Sequence, residues 1–254
     1  MDVRLAFLLS RAEEALPRLQ ALGLGAEVYL DPALLEEDAL FQSLRRRLPG
    51  RVSVHLPFWN LDLLSPDPEV RGLTLLRLLF GLDRAAELGA DRAVFHSGIP
   101  HGRTPEEALE RALPLAEALG LVVRRARTLG VRLLLENSHE PCPEVLRPVL
   151  EAHAGELGFC FDAAHARVFS RTPDPGPWLA LGPEHLHLND TDGVYDRHWN
   201  LGRGVLGHRE WLLPFLGRTL VLEVREDPEA SLAFLQALAG EGRTAFDRLL
   251  MEGR

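Results

Sequence analysis

The sequence predicts an α/β protein, a closed (β/α)8 barrel forming a single domain over residues 1–254. Three observations carry this. Apolar strand-like runs alternate with amphipathic helical runs from end to end, which implies parallel pairing through right-handed crossovers. Eight such units fit the roughly 250 residues of one barrel. Six of the runs end in an imidazole or carboxylate, at His55, His96, Glu136, Asp162, His187 and Glu223, with intervals of 41, 40, 26, 25 and 36 residues. Each interval is close to one strand-helix unit, so the six residues fall at equivalent strand ends, on the carboxyl face where barrel enzymes keep their sites. A doubly wound open sheet would carry a Gly-rich first turn, and none follows residues 3–9.

In order, the expected strands are residues 3–9, 26–30, 52–58, 92–96, 131–136, 157–162, 185–188 and 220–224. The helices between them are expected at 13–22, closed by Gly23, at 33–48 behind the cap Asp31-Pro32, and at 69–88. One helix capped by Thr104-Pro105-Glu106-Glu107 should run to Arg127. Shorter ones follow at 143–154, 178–181 and 209–216, and the last at 228–239.

Composition narrows the chemistry. At 46% hydrophobic the chain can bury a full core, and no stretch reaches the roughly 18 apolar residues of a membrane span. No signal peptide opens it, so it is expected in the cytoplasm without a membrane partner, and nothing implies a protein partner. Cys142 and Cys160 form no C-x-x-C pair and read as packing residues. All 28 basic residues are Arg. The missing lysine excludes Schiff-base, pyridoxal-phosphate and P-loop chemistry. A net charge of −9 argues mildly against a partner met through bulk electrostatics.

Strand parity directs the candidates inward. Glu136 follows Leu135, Asp162 follows Phe161, His187 lies between Leu186 and Leu188, and Glu223 between Leu222 and Val224. The apolar neighbours face the helices, so the polar groups face the barrel axis. A lone buried carboxylate costs several kcal/mol unless it is paired or bound to metal, so three carboxylates with three histidines point to a divalent cation. Asp162-Ala163-Ala164-His165 adds an imidazole, and Asp196-Arg197-His198 adds a carboxylate and an imidazole from the loop after the seventh strand. Nine donors exceed one tetrahedral zinc but suit two or three Zn²⁺ sharing carboxylates, with Mn²⁺ the other cation such donors accept. His185 reads as an interior hydrogen-bonded histidine, whereas His101, His139, His153 and His208 read as solvated. Phe58 and Trp59 either pack beneath the loop or touch substrate.

The combination of His55-Leu56-Pro57-Phe58, Phe95-His96-Ser97-Gly98, Leu135-Glu136-Asn137, Asp162-Ala163-Ala164-His165, His187-Leu188-Asn189-Asp190, Asp196-Arg197-His198 and Leu222-Glu223 resembles endonuclease IV and the wider xylose isomerase-like TIM barrel superfamily, over roughly residues 50–226. The resemblance implies one zinc held by His55, His96 and Glu136, a second by Glu136, Asp162, His187 and Glu223, and a third by His165, Asp196 and His198. It implies hydrolysis of a phosphodiester, abasic DNA in the nuclease, with Glu136 and Glu223 at the catalytic ions, Arg197 offsetting phosphate charge and Phe58-Trp59 standing where the nuclease wedges DNA. The chain lacks the Gly-x-His-Val-Ser-type first-strand segment and the arginine-bearing loop that follows it in the nuclease. The alternative is a one-metal sugar or sugar-phosphate isomerase/epimerase, in which Glu136 and Glu223 shuttle a proton across an enediolate. An inactive metal-binding scaffold is the third reading.

Overall fold

The computed structural model describes the backbone of residues 1–252 and the side chains of residues 1–242. Eight parallel strands, β1 (Asp2–Leu8), β2 (Gly25–Tyr29), β3 (Val52–His55), β4 (Arg92–His96), β5 (Arg132–Glu136), β6 (Leu157–Asp162), β7 (His185–Leu188) and β8 (Thr219–Leu222), pair in chain order. β8 returns to β1 and closes the barrel. The helices outside are α1 (Ala12–Leu22), α2 (Asp38–Arg45), α3 (Pro68–Leu88), α4 (Pro105–Ala118), α5 (Gly120–Leu129), α6 (Arg147–Ala152), α7 (Ala163–Phe169), α8 (Pro175–Leu179), α9 (His208–Trp211) and α10 (Glu229–Glu252). Among the described residues no helix is long and apolar enough to cross a membrane.

The predicted local signals act as expected. Asp31 accepts from the Ala33 amide, Thr104 and Glu107 form a reciprocal capping box, and Gly23 ends α1 in the left-handed region at φ 65°. Several boundaries differ: the strand expected at 52–58 ends at His55, and the helix expected at 209–216 is α-helical only over His208–Trp211. The helix expected from Thr104 to Arg127 is divided at Leu119, ahead of Gly120, a poor helix former. The helix expected at 33–48 opens as a single 3₁₀ turn, Pro32–Leu34, and becomes α-helical only from Asp38. β8 ends at Leu222, which places Glu223 just past the ladder, its amide still bonded to the Leu188 carbonyl.

The main core lies between the outward strand faces and the helices. Inside the barrel, alternation along each strand makes two storeys. The register sets Glu27 beside Ser53 and Tyr29 beside His55, His96 beside Glu136, and Asp162 beside His187. The upper storey is therefore Tyr29, His55, His96, Glu136, Asp162, His187 and Glu223. Two residues below it lie Glu27, Ser53, Val94, Leu134, Cys160, His185 and Val221, among which Val94, Leu134 and Cys160 form a small apolar cluster separate from the main core.

Candidate metal centre

Strand ends bring His55, His96, Glu136, Asp162, His187 and Glu223 to one mouth, the first turn of α7 brings His165 to its rim, and the loop after β7 brings Asp196 and His198. Hydrogen bonds fix which nitrogen most of the histidines present. His55 Nδ1 lies 2.8 Å from the Leu56 carbonyl, His165 Nδ1 2.9 Å from that of Asn137, and His198 Nδ1 2.9 Å from that of Glu223. A carbonyl only accepts, so each Nδ1 carries the proton and each Nε2 offers a lone pair. Metal-binding histidines are oriented in this way.

Glu136 is the hub. Its Oε2 lies 3.1 Å from His55 Nε2 and 3.3 Å from His96 Nε2, and those two nitrogens are 3.3 Å apart. Its Oε1 faces the other way, 3.0 Å from His187 Nδ1, which is itself 3.2 Å from Glu223 Oε1. Donors at bond lengths of about 2.0–2.1 Å on a tetrahedral zinc stand about 3.3 Å apart, so this spacing fits such an ion on either side of one bridging carboxylate. At the rim, Asp196 Oδ2 lies 2.9 Å from His198 Nε2 and 3.7 Å from His165 Nε2, while the buried Asp196 Oδ1 has no hydrogen-bond partner. Three of the donor sets, His55-His96-Glu136, Glu136-Asp162-His165 and Glu27-His187-Glu223, bring their ligand atoms within 4.8 Å of one another. In type and spacing these residues could hold divalent ions, although His165, Asp196 and His198 do not come together as closely as those sets.

The backing is local. Asn137 exchanges two hydrogen bonds with the Asp162 backbone, at 2.8 and 2.9 Å, and Asn189 donates to Asp162 Oδ2 at 3.1 Å. Asp162 Oδ1 accepts from the His165 amide, so the same side chain caps α7 and sets His165 over the mouth. Asp190 ties down the following loop. Its carboxylate accepts from the amides of Thr191, Gly202 and Leu206, and its backbone pairs with Trp199. Gly204 lies so close that a Cβ there would stand 2.1 Å from the Thr191 carbonyl oxygen. Asp196 and His198 ride on this loop, with His198 itself at φ 53°.

The electrostatics are those of crowded unlike groups. Burial pushes Glu223 well above the ordinary carboxylate range, with Glu27 adding to it, and burial raises Asp162 as well. Glu136 is also buried, but His187 and His96 outweigh burial and hold it well below that range. Burial lowers His96 to about 4. It would also lower His165, yet Asp162, Asp196 and Glu136 raise that imidazole well above its usual value. A bound divalent ion would let all these carboxylates ionise together at neutral pH.

A family model described as xylose isomerase-like TIM barrel matches residues 20–238. The chain belongs to that family. A Thermus thermophilus protein, in a structure described as soaked with ZnCl2, is 94% identical with a TM-score of 0.94, and the match covers 95% of this chain and 99% of that one. A "Probable endonuclease 4" of Symbiobacterium thermophilum is 32% identical over 182 residues, 62% of this chain and 64% of that protein. A D-tagatose 3-epimerase-like protein shares the fold at a TM-score of 0.80 and 21% identity, covering 97% of this chain and all of that one. The chain spans just under two thirds of the length of the first curated relatives it matches.

In this xylose isomerase-like barrel the mouth opens into a cleft of about 710 Å³, lined among others by Leu5, Phe7, Leu8, Arg11, Tyr29, Phe58, Trp59 and Arg225. Phe58 packs on the rings of His55 and His96 at 4.9 and 4.7 Å, and Trp59, 49% exposed, lies beside it. Arg197 stands outside the lining. Asp192, already turned back on the amides of Val194 and Tyr195, accepts from Arg197 Nε at 2.7 Å, and the guanidinium lies over Tyr195. Arg11 and Arg225 make no ion pair among the described residues, so the unpaired basic groups of the cleft come from the segments that follow β1 and β8.

Sequence reasoning overlooked Glu27 and Tyr29. Tyr29 stacks flat on His55 at 4.4 Å, and Glu27 lies fully buried beneath His187. The signal was available, since Ala26-Glu27-Val28 has the apolar-polar-apolar alternation used for the strand ends. His208, expected in solvent, is buried because α9 tucks its first turn under the loop, 3.7 Å from Asp190 Oδ2. His153 is half-buried and bonds the Ala116 carbonyl, and His101 and His139 pack around Phe169 near the rim.

Proposed function

We propose that this chain is a multinuclear metal-dependent phosphodiesterase, with Zn²⁺ the ion its donors suit best and two or three ions per chain. The observation that carries the reading is the Glu136 hub: one carboxylate with imidazole donors at tetrahedral spacing on both oxygens. His55, His96 and Glu136 would hold one ion, and Glu136, Asp162, His187 and Glu223 a second. His165, Asp196 and His198 would hold the third. When bound, the ions supply an activated water and neutralise charge on a phosphoryl group. The chain's own part is to keep the donors oriented through Leu56, Asn137 and Glu223, to seat the substrate against Phe58 and Trp59, and to meet its remaining negative charge with Arg11 and Arg225. Arg197 could serve only after leaving Asp192. A duplex abasic site and a short phosphodiester are the two substrate sizes to compare, and the cleft's volume, within the roughly 300–1,000 Å³ usual for small ligands, favours the shorter one.

A second reading, a sugar or sugar-phosphate epimerase, draws on Glu136 and Glu223 both reaching His187 Nδ1 and on the same small cleft. The deciding experiment measures bound metal and, before and after chelation, incision of an abasic duplex, cleavage of bis-nitrophenyl phosphate and conversion of a ketose panel. Chelator-sensitive phosphodiester cleavage with two or more ions per chain is expected. Ketose conversion with a single ion would replace this reading by the second.

A further inference from the structure

His187 departs from the pattern set by the other anchored histidines. His55, His165 and His198 tie Nδ1 to a backbone carbonyl and present Nε2, whereas His187 presents Nδ1 to Glu136 and Glu223 and turns Nε2 downward. Below it no carbonyl takes that role among the described residues. The acceptor that Nε2 meets is Glu27 Oε1, 2.7 Å away, and both residues are fully buried. The contact is off the N–H axis, so it is an ion-pair contact more than a formed hydrogen bond. Glu27 is itself held from below, with Oε2 accepting from the Ser53 hydroxyl at 2.6 Å and lying 2.9 Å from His185 Nε2. A carboxylate in a barrel interior costs several kcal/mol, and one placed two residues below the donor storey needs a reason.

We propose that Glu27, steadied by Ser53 and His185, is the positioning residue for His187: it draws the imidazole proton to Nε2 and so leaves Nδ1 free to bind the ion shared with Glu136, Asp162 and Glu223. A neutral imidazole carries one proton; Nδ1 hydrogen-bonds Glu136 Oε1 at 3.0 Å, and an ion on that side would leave Glu27 as the acceptor that holds the proton on Nε2. Glutamine in its place can donate an amide hydrogen to Nε2, which moves the proton to Nδ1 and blocks the donor.

The inference holds whether the centre takes three ions or one, and the test separates the two questions. Wild type and Glu27→Gln are stripped of metal, titrated with Zn²⁺ against a competing chelator, and titrated with Co²⁺ while the visible spectrum is followed. The expected result is a selective loss: one class of site weakens about 10–100-fold and its Co²⁺ bands shift, while the remaining sites keep their affinities. Glu27→Asp, which retains the charge but shortens its reach, should give an intermediate loss, and it carries the test if the glutamine variant does not fold. Equal affinities in wild type and variants, or a uniform fall across all sites, overturns the proposal. A wild-type chain with one ion that Glu27→Gln weakens sinks the multinuclear reading but keeps this one. A wild type that takes up no ion sinks both.

Discussion

The two ends of the barrel are both polar, and they handle charge in opposite ways. At the amino end the buried Arg4 and the acids and arginines around it meet their opposites. Arg4, 1% exposed, spans Asp91 at 2.6 Å and Asp2 at 2.9 Å, Arg51 reaches Asp2 at 3.3 Å, and Arg132 pairs with Glu184. Thr219 completes Asp2 with its hydroxyl, at 3.0 Å. At the carboxyl end no arginine among the described residues enters the cluster around Glu136, and carboxylates and imidazoles share protons among themselves. The amino end is closed by its own ion pairs, while the carboxyl end leaves carboxylates and imidazoles facing one another. On the proposed reading, charge matching therefore separates a stabilising face from a functional one more sharply than polarity does.

The comparison breaks first at its hub. Glu136→Gln should remove donors from two ions together and lower chelator-sensitive turnover by about 10³-fold, or some 4 kcal/mol, with melting of the stripped protein little changed. Metal analysis beside initial rates checks both halves, and full metal content with full activity would end the idea of a functional carboxyl face. Next in size, Zn²⁺ at about a hundred times its dissociation constant should stabilise the wild type by about 2.7 kcal/mol, read by calorimetry as a melting rise of roughly 5–10 °C. Glu136→Gln should show much less of it.

Arg4→Leu tests the opposite end. It should cost about 2–3 kcal/mol in urea unfolding, below the roughly 3–5 kcal/mol of a fully buried pair because half of the Asp91 side chain is exposed. Metal content should not move. The smallest effect is in acid. Burial raises Asp2 and Asp91, but hydrogen bonds and charge from Arg4 outweigh it and hold both below the ordinary 3.8. Their contribution is complete above that value and is lost as pH falls through the lowered native values. Stripped wild type should therefore lose stability below about pH 4 more steeply than stripped Arg4→Leu, a difference that thermal melts across that range detect.

Much of this was legible because a strand ending in a polar residue announces both its fold position and its facing. His55, His96, Glu136, Asp162, His187 and Glu223 all gave that signal and all reach one mouth. Glu27 gave a weaker form of it, since mid-strand it closes no apolar run, and Tyr29 passes for an ordinary strand former. Arg197 was misleading for a different reason. Its sequence neighbours are donors, but an arginine's long side chain goes to the best carboxylate it can reach, and Asp192 is nearer than the mouth. His208 likewise depended on how a short helix docks, which no local pattern encodes.

The fastening of the loop around Asp190 has a thermodynamic consequence. Because three amides, a bridge to Trp199 and the tight fit at Gly204 shape the segment before any ion arrives, Asp196 and His198 act as a finished bracket. On the proposed reading, seating a cation there would not first have to tame a wandering chain, so the ordering cost would fall on folding and be absent from capture.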